Sequence, residues 1–357
     1  MPGQSIDTAA RGNLESGTKP RTAPPARAAH RPEDTSMQRL PVFAIMTALA
    51  CTPGALFAQS FPTKPVRIIV AFPPGGGTDI VARTISPRLS EVLGQQVVVD
   101  NRAGASGILG TELAAKSAPD GHTMFMGTLG NLSVNPLLFP KIPFDVARDF
   151  TPLTQAVAVT FMMYSHPSFP VKTVKDLINL AKSRPAQLNY ASSGSGGAPH
   201  LAAELFNSMA GVKLVHIAYK GSGPSFIDVL GGQVPLTCDS LTQGLPYVKS
   251  GRLRAVATLG PKRTPVLPDV PTVGETLKGY EVVNWFGLVL PAATPREVVA
   301  RLHSEIVKIL LSPDIKERLS AQGADPVGSS PEEFGAFMKS ETAKWARVIK
   351  EANIRAD

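Results

Sequence analysis

The sequence predicts an α/β protein built on mainly parallel sheets, and three observations carry that expectation. Apolar, β-branched runs alternate with amphipathic helical patterns along most of the chain. Several of those runs end in loops bearing glycine, serine or threonine that open directly into the next helix. The chain beyond Ala58 is also long, at roughly 300 residues, which is enough for two cores.

Strands are expected at Val66–Ala71, Gln96–Val99, Thr123–Met126, Ala156–Tyr164, Leu188–Ala191, Leu214–Ala218, Leu236–Cys238, Ala255–Leu259 and Phe286–Leu290. Helical patterns lie between many of them, including Thr173–Ser183, His200–Met209 and Pro224–Leu230. The C-terminal part is mostly helical. Thr294-Pro295-Arg296-Glu297 and Ser330-Pro331-Glu332-Glu333 both read as a cap, a first-turn proline and a capping-box glutamate, and Ser312-Pro313-Asp314 is a looser version. Phe334, Phe337, Met338, Trp345, Val348 and Ile349 form an apolar stripe at helical spacing, expected to pack in a core.

The N-terminus has a different character. Residues 1–36 are rich in Ala, Pro, Arg, Thr and Ser without a hydrophobic period, as expected of a disordered or untranslated extension. Residues 37–58 read as a secretory signal peptide: Met37, the basic Arg39, an apolar run from Pro41 to Ala50, and a small residue, Ala58, at the cleavage point. A mature chain would then begin near Gln59 and be periplasmic. A lipid anchor at Cys51 is the weaker reading, because Ala48 stands where a lipobox carries leucine. The mature chain keeps one cysteine, Cys238, so no intrachain disulfide is expected.

The formal net charge of +8 is dispersed along the chain, and aromatic residues do not interleave with it, which argues against a nucleic-acid surface. The six histidines are scattered without metal-ligand spacing. No stretch after the signal peptide is long and charge-free enough to span a membrane.

The most informative segment is Val66 to Asp79. A buried strand breaks into Pro73-Pro74-Gly75-Gly76-Gly77, and a helix begins at Thr78-Asp79. Free backbone N–H groups at the positive end of a helix dipole suit a carboxylate. The Gly-Lys-Ser/Thr ending of a nucleotide P-loop is absent, and a plain turn capped by Thr78 or Asp79 is the blander reading. Asn101 to Gly110 repeats the strand, glycine loop and helix without a dinucleotide-binding spacing.

Ser192 to His200 offers hydroxyls and amides to an oxygen-rich ligand. Ser193-Gly194-Ser195-Gly196-Gly197 also approaches a nucleophile elbow but has serine in place of its first glycine. For that hydrolase reading the candidate bases are His200 and His216, with Asp239 or Asp228 as orienters, although the alternation of Val215, His216 and Ile217 fits a histidine satisfied at a sheet surface. Tyr219-Lys220-Gly221-Ser222 is the strand-to-helix loop that carries a cation. Asp239, at the end of a further strand, can accept from a ligand hydroxyl or amine or cap the next segment.

These stretches together resemble the Bug family, the periplasmic substrate-binding subunits of tripartite tricarboxylate transporters. The matching segments are Phe61-Pro62, Val66–Asp79, Val99–Gly104, Ala118–Thr123, Asn189–Gly197, His216–Gly221 and Pro268–Thr272. The resemblance implies a two-lobe, Venus-flytrap periplasmic binding protein with a hinge. Lobe 1 would take residues 59–160 and be completed by 283–357, and lobe 2 would take 161–282. It also implies a small carboxylate as ligand, a membrane permease as partner, a monomer, no cofactor and no catalysis. Carried over by position, the ligand would meet Phe72, Gly75, Gly76, Gly77, Thr78 and Asp79 on the first loop, and Thr128 and Asn131 at the next strand end. Lobe 2 would offer Ser193, Ser195, Gly196, Gly197, His200, Tyr219, Lys220 and Asp239. A ligand-sensing module for a membrane kinase shares all these features, and a secreted serine hydrolase stands as the remaining alternative.

Overall fold

A computed structural model describes residues 61–355, so the extension, the signal-peptide reading and Cys51 lie outside the described residues. The strands are β1 (Val66–Val70), β2 (Val97–Asn101), β3 (Thr123–Thr128), β4 (Phe150–Val159), β5 (Phe161–Ser165), β6 (Asn189–Ser192), β7 (Val215–Ala218), β8 (Leu236–Ser240), β9 (Arg254–Thr258), β10 (Asn284–Pro291) and β11 (Ala324–Pro326). The helices are α1 (Gly77–Leu93), α2 (Ile108–Ala115), α3 (Asn135–Leu138), α4 (Val146–Asp149), α5 (Val174–Ser183), α6 (Ala198–Ala210), α7 (Ser222–Leu230), α8 (Leu241–Lys249), α9 (Arg296–Leu311), α10 (Pro313–Ser320) and α11 (Pro331–Glu351).

Two sheets result, in the orders β11-β4-β10-β3-β1-β2 and β7-β6-β8-β5-β9. In the first, β2, β1, β3 and β4 share one direction while β10 and β11 run against it. In the second, β5 alone is reversed. The sheets are thus mainly parallel in strand direction, yet mixed in pairing. The reversed strands β5 and β10 are the ones by which the chain enters each sheet from the other.

The apolar run Ala156–Tyr164, read from sequence as one strand, is two. β4 ends at Val159 in the first sheet and β5 starts at Phe161 in the second. Between them, Thr160 donates its N–H to Gly323 O at 2.9 Å and accepts from Leu241 N at 2.8 Å. Both strands are largely buried, so hydrophobicity stays continuous while the pairing partner changes. Periodicity does not register that switch. The short edge strand β11 also had no sequence signal, since three residues including a proline carry no readable alternation.

The local devices explain the helices that cover these sheets. α1 buries Val81, Ala82, Ile85 and Leu89 and stops at Gly94, whose left-handed φ of 66° ends the helix. α11 begins at Ser330 with both hydrogen bonds of the capping box to Glu333. Its buried Phe334 and Trp345 join the core, and Trp285 of β10 meets Phe334 edge-on at 5.5 Å between centroids. The apolar stripe therefore does what its spacing indicates. The expected capping box at Thr294 does not form. Pro295 occupies the cap position, and the Thr294 hydroxyl donates to Pro291 O at 2.7 Å, closing the preceding turn instead. Among the described residues no helix is long and apolar enough to cross a membrane.

Candidate functional site

Four strand-to-helix turns converge between the two sheets. β1 leads to α1, β6 to α6, β7 to α7 and β8 to α8, with Gly76, Gly197, Gly221 and Ser240 at the respective cap positions. None of the four has a side-chain cap hydrogen bond. Apart from Leu241 of α8, whose N–H donates to Thr160 O, their first-turn N–H groups keep the partial positive charge of a helix start.

The pocket they line is a narrow cavity of about 50 Å³ that opens to solvent. The first sheet and its loops supply Phe72, Gly76, Gly77, Thr78 and Thr128, with Asn284 and Phe286 from β10. The second supplies Ser193, Gly197, Ala198, Ser222, Asp239 and Ser240, and Phe161 and Pro199 complete the wall. No lysine, arginine or histidine lines it, and Asp239 is its one ionisable side chain.

Asp239 is buried, with 2% of its surface exposed. Its Oδ1 accepts from the Ser240 amide at 2.7 Å. Burial pushes this carboxyl up to about 6, with the Ser222 hydroxyl and the Ser240 amide and hydroxyl pulling the other way. A further wall atom, Asn284 Oδ1, is buried without a partner.

A second chamber of about 220 Å³ adjoins the first and shares Phe72 and Ser193 with it. Gly104 to Gly107 face Ser195, Tyr219 and Lys220 across it. The Tyr219 hydroxyl donates to Asp228 Oδ2 at 2.6 Å, and burial, then that carboxylate, push the phenol up to about 12. Lys220 is exposed.

Five residues expected at the ligand line neither chamber: Gly75, Asp79, Asn131, Gly196 and His200. Asp79 accepts from Gly75 N at 2.9 Å, from Asn101 Nδ2 at 3.0 Å and from Arg83 Nε at 3.0 Å. Burial works against ionisation there, but the bonds from Arg83, Gly75 and Asn101 hold its carboxyl below the usual range. It braces the glycine loop. Asn131 accepts from the Thr128 hydroxyl at 2.9 Å, and His200 Nδ1 accepts from Gly196 N at 3.1 Å. In each case a polar side chain is spent on a loop backbone or on a neighbour that does reach the pocket.

Ser192 Oγ lies 2.6 Å from His216 Nε2, but Ser192 is fully buried and lines neither chamber. His216 itself stacks between Tyr190 and His200, at 5.0 and 4.2 Å between centroids. Among the described residues no group of His, Cys, Asp and Glu is placed to hold a metal ion.

Glycines let the two halves touch. A Cβ on Gly221 would come within 2.5 Å of Pro73, one on Gly77 within 2.9 Å of Ser240 Oγ, and one on Gly196 within 2.9 Å of Asn135. Sequence reading missed Phe161, Ser222, Ser240, Asn284 and Phe286. Ser222 and Ser240 follow the same strand-to-helix rule as the loops that were found. Asn284 and Phe286 show as an i, i+2 pair around the core-facing Trp285, in a strand otherwise almost wholly apolar.

Comparison with known proteins gives a consistent result. The family described as "Tripartite tricarboxylate transporter family receptor" matches residues 81–354. The structure of R. palustris Rpa4515 with adipate is similar at TM-score 0.81 and 38% identity, over 83% of this chain and 100% of that one. The periplasmic binding protein BugD is similar at TM-score 0.80 and 34% identity, over 83% and 100%. MatC from Rhodopseudomonas palustris with bound malate is similar at TM-score 0.78 and 32% identity, over 81% and 100%.

Proposed function

The chain belongs to the tripartite tricarboxylate transporter receptor family, with the two-lobe periplasmic binding protein fold, and from that premise we propose that it captures a small carboxylate between its lobes and delivers it to a membrane permease. The observation that carries this reading is the convergence of four helix starts, uncapped by side chains, on a pocket without a cationic side chain. Backbone N–H groups and helix dipoles suffice to hold a carboxylate, and they cost no desolvation of a buried cation. The carboxylates named with two of its structural neighbours, adipate and malate, support the same reading.

The lobes of this receptor are residues 59–160 with 283–357, and 161–282. They hinge where β4 passes to β5 and where the chain returns from β9 to β10. Closure brings Gly221 onto Pro73 and Gly77 onto Ser240, burying the ligand. The protein acts in the periplasm as a monomer, exported by the signal peptide, and binds its ligand without turning it over.

Isothermal titration of ligand-free protein from Gln59 onward, against mono-, di- and tricarboxylates, tests the proposal. The expected result is saturable binding of one acid class with recovery of the acid intact. Absence of binding across the whole panel, or consumption of the acid, overturns it.

A further inference from the structure

The C-terminal helix α11 has a second working face. Phe334 and Trp345 enter the core, while Gly335, Met338, Lys339, Thr342, Ala343 and Ala346 recur at helical spacing and line a separate cavity. Gly335, Ala343 and Ala346 carry a methyl group or less, so this face leaves a volume that a leucine stripe would fill. The segment from Pro136 to Ala147 and the start of β4 form the opposite wall. The cavity shares no lining residue with either chamber of the cleft.

Its size and chemistry differ from those of the cleft. It measures about 1060 Å³ against about 50 Å³ for the cleft pocket, at the upper end of small-molecule sites, which run to about 300–1,000 Å³. Leu132, Phe144, Phe150 and Met338 are buried yet line it, which gives it an apolar floor. The polar groups between them are already used. The Thr342 hydroxyl donates to Met338 O at 2.8 Å, and Asp145 caps α4 by accepting from Arg148 N at 3.0 Å. Among the described residues, no lining side chain has a buried polar atom without a partner. Water finds few partners in such a space, and apolar surface gains by displacing it.

Charge sits at the rim. Lys141 and Lys339 line the cavity and are exposed, and neither has an ion-pair partner among the described residues. With Asp145 engaged at α4, two ammonium groups favour an anion at the mouth. We infer that this cavity is a second binding site, for a free amphipathic monocarboxylate of the medium-chain fatty-acid type. Its apolar body sits against Leu132, Phe144, Phe150 and Met338, and its carboxylate meets Lys141 and Lys339. Affinity comes from apolar area here, and the rim charges add a preference for the anion. The cleft, by contrast, holds a compact acid through main-chain N–H groups.

Calorimetric titration of the protein from Gln59 onward with hexanoate, octanoate and decanoate, and with octanol as the neutral counterpart, tests this. Each added CH₂ is expected to tighten binding about two- to fourfold, and octanoate is expected to bind more tightly than octanol. Changing both lysines, Lys141→Glu with Lys339→Glu, is expected to weaken octanoate about fivefold and leave octanol unchanged. Ala343→Trp fills the cavity and is expected to abolish decanoate binding, whereas Gly77→Ala, which obstructs the cleft, leaves it intact. Absence of decanoate binding, or its loss in Gly77→Ala, overturns the inference, and octanol binding as tightly as octanoate overturns the assigned anion. Retention on phosphatidylglycerol vesicles without affinity for free decanoate overturns it in favour of a membrane contact. If Ala343→Trp does not fold, the chain-length ranking in the Gly77→Ala protein decides alone.

Discussion

Asp239 makes a prediction that needs no ligand. Its carboxyl is held at about 6 in the folded protein against an ordinary value of 3.8. That difference corresponds to about 3 kcal/mol at about 1.4 kcal/mol per pH unit. The sign follows from which state keeps the proton longer. The folded value lies above the unfolded one, so the folded protein binds more protons between the two. Stability from this group is fully present below about pH 4 and is lost as pH rises through about 6.

The groups that face Asp239 do not blur the window. Burial pushes Tyr164 well above its ordinary range and lifts Cys238 to about 12, so both stay neutral throughout. Glu275, drawn down to about 2 by Arg263, contributes with the opposite sign, but equally in wild type and variant. Urea denaturation of ligand-free wild type and Asp239→Asn from pH 3.5 to 8 isolates the effect. Wild type is expected to lose about 2.4 kcal/mol relative to the variant between about pH 4 and 7. The offset at any single pH includes the buried amide's own hydrogen-bonding cost, so the slope is the readout. A difference that stays flat with pH refutes the burial-raised carboxyl of Asp239.

Gly77→Ala adds a methyl at a helical position, where alanine is favoured by about 1 kcal/mol, yet this methyl meets Ser240 Oγ at 2.9 Å and Phe286 at 3.2 Å. Carboxylate affinity is expected to fall about tenfold or more, measured by calorimetry, while the ligand-free melting temperature holds or rises. Gly287→Ala places its Cβ 2.1 Å from the Phe334 ring, and a loss of about 1–3 kcal/mol in urea denaturation is expected from overpacking. Ser330→Ala removes the cap that accepts from Glu333 N and is expected to cost about 1 kcal/mol by the same measurement.

The parts of the site legible in the sequence are those made of main chain. Pro73 to Gly77 announces a strand end and a helix start whatever the ligand, because only small residues let the loop approach a bound group and the opposing lobe. The same holds for Ser193 to Gly197. What the sequence conceals is which polar side chains turn inward. Asp79 and Asp239 each lie at a strand-loop-helix junction, and composition does not separate them. Arg83 four residues on, with Asn101 from β2, claims Asp79 for the loop, whereas no cation bonds Asp239 among the described residues. The passage from β4 to β5 escaped reading for a related reason: an apolar run reports burial without reporting which sheet does the burying.

The electrostatics of the pocket tie these two kinds of residue together. Four helix starts each contribute roughly half a positive charge at their N-termini, and the lining side chains answer with a single carboxylate and no cation. Burial raises the Asp239 carboxyl, and the Ser222 hydroxyl with the Ser240 amide and hydroxyl offset part of that cost, which keeps it near 6 instead of higher. The helix starts suit a carboxylate as a class, and Asp239 is the one charged group among the lining side chains beside them.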